Sequence, residues 1–187
     1  MKKLMVSTMA FLFVVAAVLG QAPKTASTQT KETKKAGMTK MTPLKKLEGK
    51  TVSSVAKNNF STDFGSIANA KWERSANFDE ATFMKDGKQM KAYYDFEGKL
   101  VGTTETKMFT DIPAKAQTEI KSKYKDYSIG PVVFFDDNEL NTTDMSLWNT
   151  QFEDQDNFFV ELTKGTQRII VQVHPAGDIN LFTQLSK

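Results

Sequence analysis

The sequence contains no cysteine and a single histidine among 187 residues. The first absence excludes a disulfide framework, a thiol nucleophile and a cysteine-ligated zinc; the second excludes a multi-histidine metal centre. No Gly-x-Ser-x-Gly elbow is present to hold a serine against the one imidazole, His174, which sits directly before Pro175. Charge of one sign is also scarce, with 25 Lys and Arg against 22 Asp and Glu. Such a balance gives little of the attraction that dominates nucleic-acid binding. The expectation is a chain with no enzymatic activity, no cofactor, no bound metal and no nucleic-acid partner.

What is present begins with an address. Lys2 and Lys3 precede an apolar run over residues 10–19, followed by the small residues Gly20 and Ala22. This three-part pattern reads as a secretory signal peptide over residues 1–22, cleaved near Gly20 or Ala22. Ser7 and Thr8 leave the run short of the about 20 apolar residues that a membrane span needs. The protein is therefore expected to be exported, periplasmic or extracellular, with no membrane span once mature. Cleavage lowers the net charge from +3 to +1, because two lysines and no acids depart. Residues 23–48 are rich in Lys and Thr and hold almost nothing large and apolar before Leu44, so they read as a flexible tether.

From residue 49 the pattern is regular. Val52, Val55, Ala56 and Phe60 make one face of a helix closing before Ser61. A second helix is expected from Pro113 to Tyr124, with Ala116, Ile120 and Tyr124 recurring every four residues. Met90, Ala92 and Tyr94 alternate with Gln89, Lys91 and Tyr93, as strands do. Asp86-Gly87 and Glu97-Gly98 supply residues that tolerate the positive φ of tight turns.

Sliding the chain against itself by 79 residues brings Ala81 onto Val160, Phe83 onto Leu162, Met90 onto Ile169, Ala92 onto Val171, Tyr94 onto Val173 and Leu100 onto Ile179. A slip of one residue would turn every strand over, so the agreement predicts a tandem repeat. The fold class is α+β, each half one helix packed on an antiparallel meander, with a first repeat over about 49–110 and a second over 111–187. The helices are closer in sequence than the strands, which predicts an insertion in the second half, placed at Asp136 to Thr150.

Ala70-Lys-Trp72-Glu, Ala81-Thr-Phe83, Asp86-Gly-Lys88, Ala92-Tyr-Tyr-Asp95, Gly98-Lys-Leu100 and Asp111-Ile-Pro113 resemble the exported PepSY-like proteins of Bacteroidetes, which are similar to β-lactamase inhibitory protein. The resemblance covers residues 50–187. It implies a binding module whose sheets form a concave surface with helices behind. The second repeat departs from the motif, with His174-Pro175-Ala-Gly177-Asp in place of Asp-x-x-Gly-Lys.

Tyr93, Phe159, Ile170 and Phe182 occupy the strand positions opposite the expected core, where an open sheet would carry polar residues. With Trp148 at the end of the insertion, they form the expected contact surface for a protein or peptide partner. Trp72 is assigned to the core. Two other classes stand beside the binding module: a structural module of the envelope or cell surface, and a carrier for a small ligand or lipid. Within the insertion, Asp136-Asp137-Asn-Glu-Leu140 departs from the helix-loop-helix calcium pattern at its third ligand, glycine and final glutamate, and reads as a hydrated loop.

Overall fold

Ser53 opens the first helix. Its backbone is extended and its hydroxyl accepts the Val55 N–H at 3.1 Å, which satisfies one of the donors a helix start leaves free. In a computed structural model describing residues 41–185, this helix, α1, spans Ser54–Phe64 and stops at Gly65, whose φ is 77°. It runs a turn beyond the expected end because Phe64 packs against Phe60 and Phe83, ring centroids 5.2 and 4.9 Å away. Ala56 and Phe60 form the buried face, while Val55 is exposed and lies outside it.

Four strands follow: β1 (Lys71–Arg74), β2 (Asp79–Lys85), β3 (Lys88–Tyr94) and β4 (Leu100–Lys107). A short 3₁₀ turn, Phe109–Asp111, leads into α2 (Ala114–Lys123), flanked by Pro113 and Tyr124 where the sequence placed its ends. Then come β5 (Ser128–Asp137), β6 (Met145–Leu147), β7 (Thr150–Phe152), β8 (Asn157–Lys164), β9 (Gln167–Val173) and β10 (Ile179–Leu185). Eight strands form one antiparallel sheet in the order β1-β2-β3-β4-β5-β8-β9-β10, and β6 and β7 pair separately. The molecule is thus an α+β fold of two helices and one large antiparallel sheet.

Turn chemistry sets the registers. Asp86 and Gly87 have φ of 51° and 76°, the two left-handed residues of a tight hairpin between β2 and β3. In the β3–β4 turn only Gly98 is left-handed. Glu97 is spared that conformation because the buried Asp95 carboxylate accepts the N–H groups of both Glu97 and Lys99 and shapes the turn instead.

Alternate residues point to opposite sides of the sheet. On one side α1 covers Ala81, Phe83, Ala92 and Tyr94, with Trp72 against the Phe60 and Tyr94 rings. Further along, α2 buries Ala116 and Ile120 against Val160, Leu162, Ile169, Val171 and Val173. The ladder pairs Ala81 with Ala92 and Phe83 with Met90 in the first half, and Val160 with Val171 and Leu162 with Ile169 in the second. Burying each large apolar side chain here contributes about 1.5–3 kcal/mol.

The other side holds the main correction. Tyr93, Phe159 and Ile170 do lie opposite the helices, yet they are buried, and Phe182 is half-buried. The insertion covers them. β6 and β7 fold back over the sheet and place Met145 and Phe152 in one cluster with Tyr93, Phe135, Phe159 and Ile170. Left open, that cluster would be an apolar patch of the kind soluble surfaces avoid. The insertion also begins later than expected, since β5 continues through Asp137, and it reaches the residue before Asn157.

The second correction concerns the chain before α1. Most of the expected tether, like the expected signal peptide, lies outside the described residues, but 41–48 are held down. The Thr42 N–H donates to Asp144 Oδ2 at 2.7 Å, and the Leu47 N–H donates to the Ala76 carbonyl at 2.8 Å. Gln151 Nε2 and Asn77 Nδ2 donate to the carbonyls of Thr42 and Lys45, and Leu44 joins the covered cluster.

Candidate binding surface

The hairpin turn joining β6 to β7 consists of Trp148 and Asn149, with φ of 49° and 59°. Left-handed backbone at two successive residues fits the twist of a tight hairpin, and asparagine tolerates it. Tryptophan does not. A side chain of that bulk in this region costs about 1–2 kcal/mol. The ring compensates by packing edge-on against Phe159 at 5.6 Å and Phe182 at 6.2 Å, while Phe152 lies 4.9 Å from Phe159 and 5.8 Å from Phe182. Trp148 nevertheless remains 36% exposed.

Trp148 stands at a cleft of about 280 Å³ between the hairpin tip and the turn joining β1 to β2. Ser75, Asn77 and Phe78 form one wall and Ser146, Leu147 and Asn149 the other, with Glu80, Lys91 and Tyr93 among the remaining lining residues. Lys91 Nζ lies 2.8 Å from Glu80 and 4.0 Å from Glu73, so the cation is already engaged. The Tyr93 hydroxyl shares a 3.2 Å hydrogen bond with Thr104 Oγ1, and burial raises its pKa, which keeps the phenol neutral. The cleft therefore offers aromatic surface, neutral hydroxyls and amides, and one internally balanced ion pair. It suits a side chain or turn of a partner better than a strongly charged ligand.

Of the five residues expected to meet a partner, Trp148 and Tyr93 line this cleft. Phe159 and Phe182 support the Trp148 ring, and Ile170 lies in the same cluster without lining the cleft. Sequence reasoning missed Phe96 and Leu140, which are 42% and 94% exposed at the end of the sheet where the β3–β4 turn and the insertion meet. Asn141 joins those loops, donating from Nδ2 to Asp95 Oδ2 and to the Leu100 carbonyl, both at 3.0 Å. Lys45 Nζ stands 3.7 Å from the Phe96 ring centroid, beside a hollow of about 240 Å³. The available signal was Leu140 itself, an apolar residue within a run of Asp, Asn and Thr.

The acidic residues of the insertion are unevenly shielded. Burial, then hydrogen bonding and charge from Asp154, raises the Asp137 carboxyl to about 7. Asp154 is raised as well, chiefly by burial, and Asp136 by burial and by Asp156. Among the described residues, no three such side chains converge closely enough to hold a metal ion. His174 is half-buried, with Nε2 2.9 Å from Asn180 Nδ2.

No family model matches the sequence, and no curated protein matches it. Solved structures do share the fold. A BLIP-like protein from Bacteroides fragilis is similar at a TM-score of 0.55 and 15% identity, over 73% of this chain and 89% of that one. A DUF2874 family protein from Bacteroides uniformis gives a TM-score of 0.58 at 12% identity, over 72% and 90%. A Bacteroides eggerthii protein with a provisional periplasmic assignment gives 0.58 at 12%, over 72% and 89%. None of these three carries an enzyme's name. Among the described residues no helix is long and apolar enough to cross a membrane.

Proposed function

We propose that this chain is an exported, non-enzymatic binding module that recognises a protein or peptide partner around Trp148. The observation that carries the reading is a tryptophan held in left-handed backbone at the mouth of a cleft, where the turn alone would favour asparagine or glycine. Fold likeness to a BLIP-like protein supports the class of function. Inhibition of a bound enzyme is one form such recognition takes. Tyr93 contributes to the cleft, while Phe159, Ile170 and Phe182 act from beneath by fixing the hairpin.

The matching rungs of the two halves support descent from a tandem duplication, PepSY-like in its motifs. Lys2, Lys3 and the run after them support export, and sequencing the N-terminus of the secreted protein should find it within residues 20–23.

The binding reading is tested by capture of secreted and envelope proteins on the mature chain, alongside Trp148→Ala. A specific partner should be retained by the wild type, with affinity reduced about tenfold or more in the variant. Equal retention by both would remove Trp148 from the site. A structural module would capture nothing specific, and a carrier would bring down a small molecule.

A further inference from the structure

The insertion leaves and rejoins the sheet through two aspartates. Asp137 ends β5 and Asp154 lies three residues before β8. Their carboxyl groups are within hydrogen-bonding reach of each other, and each has an oxygen, Oδ1, shielded from water with no donor. Two shielded carboxylate oxygens without a donor are unstable as a doubly charged pair; one proton between them resolves both.

The surroundings favour keeping that proton. Glu139 and Asp156 face Asp137, while Glu139 and Asp144 face Asp154. On the neighbouring position of β5, Asp136 is faced by Asp156, Glu105 and Lys107, and Lys107 is already paired with Glu105. The sequence has no lysine or arginine over residues 127–163.

We infer that a proton shared by Asp137 and Asp154 is the clasp that holds the Trp148 hairpin on the sheet, and that losing it loosens the hairpin. The consequence for binding rests on the reading proposed above; the clasp itself does not. Because the folded carboxyl of Asp137 titrates at about 7 rather than at its usual 3.8, its contribution is complete below that lower value and is lost as pH rises through neutrality.

The test is amide hydrogen exchange in the full chain at about pH 5.5 and about pH 8.5, corrected for the intrinsic rate, with protection at residues 146–151 expected to fall about tenfold. Amides of β8 and β9 should hold steady and serve as the reference. Asp137→Asn keeps a donor without the charge, so its hairpin should stay protected at both values; Asp154→Asn carries the same expectation if the first variant does not fold. A wild-type hairpin equally protected at both values overturns the inference, as does wild-type-like loss in a folded Asn variant. Failure of Trp148 capture with the clasp behaving as described would refute the binding reading alone.

Discussion

Asp79 is fully buried, and its charge is tolerated because Arg74 grips both carboxylate oxygens at 2.7 Å while the Ser53 N–H adds a third bond at 2.9 Å. Asp79→Ala would leave that guanidinium facing its lost partner, so urea titration should report a loss of about 3–5 kcal/mol. Gly102 is constrained by space rather than by φ. A Cβ there would sit 2.5 Å from the Asp136 carbonyl oxygen and 2.6 Å from the Phe135 ring, so Gly102→Ala should cost about 1–3 kcal/mol in the same assay. At Trp148 the comparison of two truncations isolates the backbone. Both lose the ring, but Trp148→Gly should be more stable than Trp148→Ala by about 1 kcal/mol, because only glycine enters the left-handed region without strain. Asp79 and Gly102 were not legible as special, and at Trp148 the sequence offers the aromatic but not its left-handed backbone. A buried ion pair, a filled space and an unusual φ all arise from neighbours that composition and spacing do not reveal.

Both helices and the alternation of β3, β8 and β9 could be read directly, since three- and four-residue or two-residue spacing survives in the apolar positions. The β6–β7 hairpin could not. Its strands have three residues each, and its turn is Trp-Asn instead of a glycine-containing pair, so neither strand pattern nor turn chemistry announced it. Consequently the alternation puts Tyr93, Phe159 and Ile170 on the side of the sheet away from the helices but gives no sign of the hairpin that buries them. Replacing residues 138–156 with an Asn-Gly turn tests what the element does. β5 and β8 are already antiparallel neighbours, with Phe135 opposite Asn157, so the junction is geometrically short. The shortened chain should keep its far-ultraviolet dichroism, bind a hydrophobic dye severalfold more strongly than the wild type, and self-associate. An unchanged dye signal would mean that something else shields the cluster.

For the molecule as a whole, the α+β class was legible because helical spacing and two-residue alternation both survive in the apolar positions. What covers the sheet was not legible, being a matter of which segments meet at a distance. The sheet itself is continuous across the two halves through a single ladder, β4 against β5, running from Gly102 opposite Asp137 to Lys107 opposite Val132. That ladder closes over the 20 residues 108–127 and the adjoining β5–β8 ladder over the 19 residues 138–156, whereas the other hairpins of the sheet close over two to five residues. Closing these two longer loops carries the greater entropic cost, so the docking of β5 between its neighbours is the natural last step of assembly. The hairpins of β1–β4 and of β8–β10 can gather beneath their helices first, and a chain stalled at that stage would present the raw edges of β4 and β8 to its neighbours.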